Sequence, residues 1–176
     1  MIQGRRVGVV IPARDEESHI EGVLVHLPET VDLAVVVNDG SVDRTSEAAR
    51  QAKAPCEVVV IDGNGDGVGA AIDRGHRHLL SCWDGPFISV VMAGDGQMNP
   101  DDMEALVQPI LNGAADHVKG NRCLHPEGLN RTPKLRQRAT AVLSLFTTLA
   151  AGQPFGDPQC GLSLIHISEP TRRIEI

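Results

Sequence analysis

Asp95 and Gln97 stand two residues apart in the stretch Met92–Pro100, M-A-G-D-G-Q-M-N-P. One offers a hard anionic oxygen and the other a neutral one. Such a pair suits Mg²⁺ or Mn²⁺, which commonly take one or two carboxylates and complete their shell with water and substrate phosphates. A polar turn with a solvated Asp is the competing reading. Asp39, in V-N-D-G-S, could accept the ring N–H of a base or close an Asx-turn. Arg122, in K-G-N-R, could brace a diphosphate with its planar fork or sit in a surface ion pair. Arg14, Asp15, Glu16 and Glu17 cluster after I-P-A. Compensation of a helix dipole accounts for Glu17 and leaves the Arg and the two further acids without a reason.

These groups follow apolar runs, so the elements that carry them can be read from the pattern. Val7–Ile11, Leu33–Val37, Val58–Ile61 and Phe87–Met92 are β-branched or apolar runs bounded by Pro, Gly and Asp, and are expected strands; Asp116–Lys119 is a short fifth. Ile20, Val23, Leu24 and Leu27 recur at helical spacing, Asp43 and Thr45 open a helix through Ala52, and another runs from Ala70 through Leu80. Asn99 as N-cap and Pro100 at the first helical position start a helix with Met103, Leu106, Val107, Ile110 and Leu111 on one face. Leu135 to Leu149 predicts a last helix ending at Gly152, followed by a loop, Pro154–Gly161, that holds Asp157, Gln159 and Cys160. Strands alternating with helices predict a doubly wound α/β domain, whose ligands bind beyond the carboxyl ends of the strands. Asp39, Asp95 and Arg122 all emerge at such ends. Gly65-x-Gly67-x-x-Ala70 also satisfies a loose dinucleotide fingerprint between a strand and a helix.

With 176 residues the chain can build one domain with a real core, and at 2% aromatic content that core is made of Val, Leu, Ile and Ala. The net charge of −7 argues against a nucleic-acid binder and against a basic membrane-surface patch. Cys56, Cys82, Cys123 and Cys160 form no C-x-x-C pair, so reduced thiols in a cytoplasmic setting are expected, with no structural zinc. The chain opens on a strand with no signal peptide expected, and no apolar run is long enough to span a membrane. Leu162–Arg172, L-S-L-I-H-I-S-E-P-T-R, matches the translated read-through of a common transposase-based sequencing adapter. The expected division is therefore 1–161 as domain and 162–176 as a non-native tail, with His166 excluded from any site. A genuine short strand, Leu162–Ser168, is the alternative.

Six motifs occur in order: I-P-A-R-D-E-E, V-V-V-N-D-G-S-V-D-R-T, G-N-G-D-G-V-G-A-A-I, M-A-G-D-G-Q-M-N-P, K-G-N-R and D-P-Q-C-G. Together they resemble family 2 glycosyltransferases, especially the dolichyl/polyprenyl-phosphate mannosyl- and glucosyltransferase branch, over nearly all of residues 6–161. The resemblance implies a GT-A fold, a mostly parallel Rossmann-like sheet that binds a nucleoside-diphosphate sugar. It implies that Pro12, Arg14 and Glu16 contact the nucleoside, that Val37 and Asp39 hold base and ribose, and that Gly94, Asp95 and Gln97 form the metal and diphosphate loop. Arg122 is implied to touch the diphosphate, and Asp157 lies in the acceptor-side loop. Three positions depart from the pattern. Asn38 replaces the first acid of D-D-G, Ala93 replaces the first acid of D-x-D, and Val68 replaces a Lys of the glycine loop.

The activity so implied is inverting transfer of a sugar from a UDP- or GDP-linked donor. Mg²⁺ or Mn²⁺ on Asp95 and Gln97, together with Arg122, would stabilise the leaving diphosphate. A polyprenyl or dolichyl phosphate acceptor is already ionised and needs no strong base. A glycan hydroxyl would need one, for which Asp157 is the candidate. A lipid-linked acceptor implies a site at the cytoplasmic face of a membrane. Two rivals stand beside this: a nicotinamide-dependent oxidoreductase built on the Gly65–Ala70 loop, and a non-catalytic fragment that binds nucleotide sugars.

Overall fold

A computed structural model describes residues 1–120, 143–150, 152 and 162–167. Arg122 and Asp157 lie outside the described residues, as do Cys123 and Cys160. The strands are β1 (Arg6–Ala13), β2 (Leu33–Asn38), β3 (Glu57–Asp62), β4 (Phe87–Val91), β5 (His117–Lys119) and β6 (Ser163–Ile167). The named helices are α1 (Ile20–Val25), α2 (Thr45–Gln51), α3 (Val68–Cys82) and α4 (Asp102–Leu111). The chain divides into two compact units, one of Met1–Val118 with Leu162–Ile176 and the other Lys119–Gly161.

The six strands lie in the order β3-β2-β1-β4-β6-β5. β1 pairs in parallel with β2 and β4, and β2 with β3. Parallel strands covered on both faces read as unbroken apolar runs. Accordingly Val7, Val9, Val10 and Ile11 in β1 and Ala34 to Val37 in β2 are fully buried. The chain winds β1, β2, β3 in one direction and then returns through α3 to β4 on the far side of β1. The switch point therefore falls between β1 and β4, where such sheets open a crevice at their carboxyl edge.

α3 lies close against β1 because two glycines clear the way. A Cβ at Gly75 would sit 2.3 Å from Val10 Cγ1, and one at Gly8 would sit 2.6 Å from Leu79 Cδ2. Behind this contact Val10, Leu33, Val35, Val37, Ala71, Leu79, Trp83 and Phe87 form a common core.

α4 begins later than its sequence suggests. Asp101 is the residue before the helix and makes no side-chain cap. Asn99 still bonds as the expected N-cap would, its Oδ1 accepting the Asp101 N–H two residues on at 3.2 Å, in the turn that leads into the helix. Ser163–Ile167, set apart above as part of a foreign tail, forms β6 antiparallel to β4. The alternation L-S-L-I-H-I suits a strand whatever its codons came from. The origin of residues 162–176 is a separate question, for which we retain the adapter as our proposal.

Candidate functional site

Four loops are sewn together at the carboxyl edge of β1 to β4. The Asp39 N–H donates to the Ala13 carbonyl at 2.8 Å, and the Gly94 N–H donates to the Pro12 carbonyl at 3.3 Å. The end of β1 is thus fastened to the exit of β2 on one side and of β4 on the other. A Cβ at Gly94 would approach Ala13 Cβ to 3.1 Å and Ile20 Cδ1 to 3.3 Å, so this loop passes close over the first one. Asp39 and Asp95 leave strands separated only by β1. That is two inter-strand spacings, about 10 Å, a gap that a nucleoside diphosphate bridges from base to phosphates.

The acids after β1 do structural duty. Asp15, Glu16 and Glu17 donate their N–H groups to Ser41 Oγ at 3.0 Å, Thr45 Oγ1 at 2.8 Å and Asp43 Oδ2 at 3.0 Å. Asp15 Oδ1 returns the favour by accepting from the Val42 N–H at 2.9 Å. Glu17 pairs with Arg44 at 2.8 Å, which is its partner in place of a helix dipole. Hydrogen bonding from Thr45 holds the Asp43 carboxyl below its usual range. Glu16 is half-buried, with Oε2 on His19 Nδ1 at 2.9 Å. Arg14 is exposed.

At the end of β2, Val37 is fully buried and Asp39 is 5% exposed. Asp39 Oδ2 accepts the Gly67 N–H at 2.9 Å, while Oδ1 is buried with no partner. A buried carboxylate oxygen without a donor is costly, on the order of 1–3 kcal/mol or more, and such an oxygen is poised for a ligand N–H. Asn38, by contrast, is spent on the fold. Its Oδ1 accepts from Ser41 N–H and Oγ–H at 2.9 and 2.6 Å, and its Nδ2 donates to Ser46 Oγ at 2.6 Å and Asp62 Oδ1 at 3.3 Å. Hydrogen bonds from Ser46 and then Arg50, opposed by some desolvation and helped by Asn38, keep Asp62 below its ordinary value. The amide at 38 therefore has a reason: an acid there would face Asp62 with no proton to share.

Sequence reasoning missed Arg74. It rises from α3 beneath the glycine loop, with Nη2 paired to Asp66 and Nη1 buried and unpartnered. A Cβ at Gly63 would lie 2.7 Å from that Nη1. Gly40, at φ +75°, has the same relation to Gly65 N, at 2.9 Å. An orphaned acceptor on Asp39 and an orphaned donor on Arg74 thus flank one glycine loop. The sequence carried little signal for it: Arg74 lies at the edge of the buried stripe of Ala71, Gly75 and Leu79, not on it.

Asp95 is half-buried and Gln97 exposed. Asp95 Oδ1 accepts the Gln97 N–H at 3.0 Å, an Asx-turn helped by Gly96 at φ +69°. The dull reading thus holds for one carboxylate oxygen, and among the described residues Oδ2 takes no hydrogen bond. Among the described residues no group of three or more His, Cys, Asp or Glu could hold a metal ion. This donor set does not fit a cation caged by protein alone. It does fit Mg²⁺ or Mn²⁺ that arrives with phosphates and takes one or two protein oxygens.

The family model described as glycosyl transferase family 2 matches residues 8–167. The chain belongs to glycosyl transferase family 2. Among curated relatives, it is 28% identical to a UDP-N-acetylglucosamine–dolichyl-phosphate N-acetylglucosaminyltransferase of Methanococcus voltae, over 88% of this chain and 66% of the relative. It is 33% identical to an uncharacterised protein of Methanocaldococcus jannaschii, over 88% of this chain and 62% of that one. Among solved structures, it is similar to glucosyl-3-phosphoglycerate synthase from Mycobacterium tuberculosis in complex with Mn²⁺, UDP and phosphoglyceric acid. That likeness has a TM-score of 0.68 at 23% identity and covers 95% of this chain and 56% of the other. It shows the fold, which is the GT-A architecture the motifs implied. The chain spans just under two thirds of the length of these curated relatives. Among the described residues no helix is long and apolar enough to cross a membrane.

Proposed function

We propose that this family 2 domain binds a nucleoside-diphosphate sugar at the carboxyl edge of β1 to β4 and transfers the sugar to an acceptor with inversion. The observation that carries this reading is the unpartnered, buried Asp39 Oδ1, one strand removed from β1 and two from the Asp95 loop. In the proposed complex Asp39 Oδ1 accepts the imide N–H of the base, and Arg74 Nη1 donates to an adjacent carbonyl. That pairing fits uracil and guanine, which carry an N–H beside a C=O, and rejects cytosine and adenine, which present the reverse. Pro12, Arg14 and Glu16 would wall the nucleoside, while Val37, expected from the resemblance to join them, is fully buried in the core and would support the site only from beneath.

Mg²⁺ or Mn²⁺ would be held by Asp95, with Gln97 as a second oxygen, next to Gly94; when bound it supplies charge neutralisation for the leaving diphosphate. The chain's own part is to orient that diphosphate. The Gly94 N–H is already committed to Pro12, so the loop's path is fixed before ligand arrives, and preorganisation of this kind spares reorganisation during reaction. Arg122 would add a bidentate clamp. Asp157 would act as base only if the acceptor is a glycan hydroxyl. A polyprenyl or dolichyl phosphate acceptor draws support from the Methanococcus voltae relative named above. Such an acceptor would bring the parent protein to the cytoplasmic face of a membrane.

The nicotinamide reading loses its anion site: the Gly67 N–H, at the start of α3, already donates to Asp39 and does not stand open to a pyrophosphate. Calorimetric titration with UDP-sugar, GDP-sugar, CDP and ADP, each with and without Mg²⁺ or Mn²⁺, and with NADH, tests the proposal. The expected result is metal-assisted binding of a uridine or guanosine nucleotide alone. Tighter binding of NADH or ADP refutes it.

A further inference from the structure

A cavity of about 390 Å³ opens between α1 and the loop that enters α4. Its walls are His19, Gly22, Val23 and His26 on one side and Gly96 with Met98 to Asp101 on the other. That volume lies within the range of small-molecule sites. Gly22 helps to keep it open. A glycine inside a helix weakens it, and no packing demand accounts for this one, since a Cβ at Gly22 would meet nothing within 4 Å. What the missing side chain leaves is room in the cavity.

Two imidazoles stand at the ends of α1, His19 just before it and His26 just after. His19 Nδ1–H donates to Glu16 Oε2 at 2.9 Å, and His26 Nδ1–H donates to the Gly22 carbonyl at 2.7 Å. A carboxylate and a carbonyl only accept, so each neutral ring keeps its proton on Nδ1 and presents Nε2 as an acceptor. Seven residues of helical rise set the two residues about 10 Å apart, so the rings address two ends of an elongated ligand and not one cation. Asp101 adds a carboxylate to the wall. Asn99, whose Oδ1 is taken by the Asp101 N–H, adds its NH₂. Among the described residues no Lys or Arg lines the cavity, so a phosphate or carboxylate finds no counter-charge there. Val23, Met98 and Pro100 supply apolar patches between the polar groups. Hydroxyls can donate to the Nε2 atoms and the carboxylate while ring C–H faces lie on the aliphatic side chains. We infer that this cavity binds a neutral, disaccharide-sized glycan. Asp39 and Arg74 take no part in it, and the inference does not depend on the donor reading.

The test is saturation-transfer NMR and calorimetry on the full chain without nucleotide, using maltose, cellobiose, mannobiose and N,N′-diacetylchitobiose as probes. At least one of these sugars should bind with a Kd of about 1 mM or tighter. Inorganic phosphate and spermidine should not displace it. Gly22→Leu puts a side chain into the cavity with no atom in the way of its Cβ, and His26→Leu removes one acceptor. Each should weaken sugar binding about tenfold or more. Gly22→Leu should melt no lower than wild type, because leucine is the better helix former. UDP and GDP affinity should stay at the wild-type value in both variants, which keeps the result separate from the donor site. No binding of any of these sugars at about 20 mM, binding unmoved by either variant, or displacement by phosphate or spermidine overturns the proposal.

Discussion

Replacing Asp39 by Asn should move nucleotide affinity and stability in opposite directions. The side chain keeps its size and its place, 5% exposed at the end of β2. In the free protein the carboxylate has one oxygen on the Gly67 N–H at 2.9 Å and one buried oxygen with nothing. An amide can keep its oxygen on Gly67 and turn its NH₂ to the orphan position. A neutral unpartnered group costs less to bury than a charged one, so Asp39→Asn should melt no lower than wild type and up to a few degrees higher. In the complex the same NH₂ would meet the imide N–H of the base, donor against donor. A hydrogen bond to a charged group contributes about 1.5–3 kcal/mol, so uridine or guanosine diphosphate should bind roughly 10- to 150-fold more weakly. Thermal melting without ligand and calorimetry with it read the two effects separately. Unchanged affinity would refute the base-binding role of Asp39. A large loss of stability with unchanged affinity would make it a structural turn residue.

The remaining predictions concern packing and charge. Gly75→Ala forces a Cβ to 2.3 Å from Val10 Cγ1 and should cost about 1–3 kcal/mol in denaturant unfolding, whereas Gly22→Ala, in helix α1 with nothing within 4 Å, should gain about 0.5–1 kcal/mol. Asn38→Asp removes the donor shared by Ser46 and Asp62 and sets two acids together, and should destabilise at neutral pH by about 1–3 kcal/mol, with relief on acidification that wild type lacks. Burial lowers His76 from its ordinary 6.5, with Nε2 unpartnered. The unfolded chain therefore takes up that proton first. The stability contributed is present above 6.5 and is lost as pH falls through the lower folded value. Urea titrations across that range should show the slope in wild type and less of it in His76→Gln.

The strands were legible because parallel β-structure buries both faces, so β1, β2 and β4 stand out as apolar runs with edges right to within one or two residues. The rim residues were legible because turn-forming Gly, Asp and Asn punctuate those runs. Strand order was not written locally: nothing in S-L-I-H-I places β6 between β4 and β5. The close approach of α3 was equally hidden, since Gly8 and Gly75 acquire meaning only when facing Leu79 and Val10. Arg74 escaped notice because an Arg beside Asp73 in a helix looks like a solvated face until the glycine loop is seen lying over it. Asn38 looked like a lost ligand and proves to be a hub for Ser41, Ser46 and Asp62.

The central claim is that a divalent cation joins the donor's phosphates to the sheet's rim through Asp95. It is tested most directly by the ratio of UDP or GDP affinity with Mn²⁺ to that without it, measured in wild type and in Asp95→Ala. Wild type should bind the nucleotide about tenfold or more tighter with the metal, and the variant should show a ratio near one while keeping its metal-free affinity. Equal affinity with and without Mn²⁺ in wild type, or an undiminished ratio in Asp95→Ala, would contradict the account.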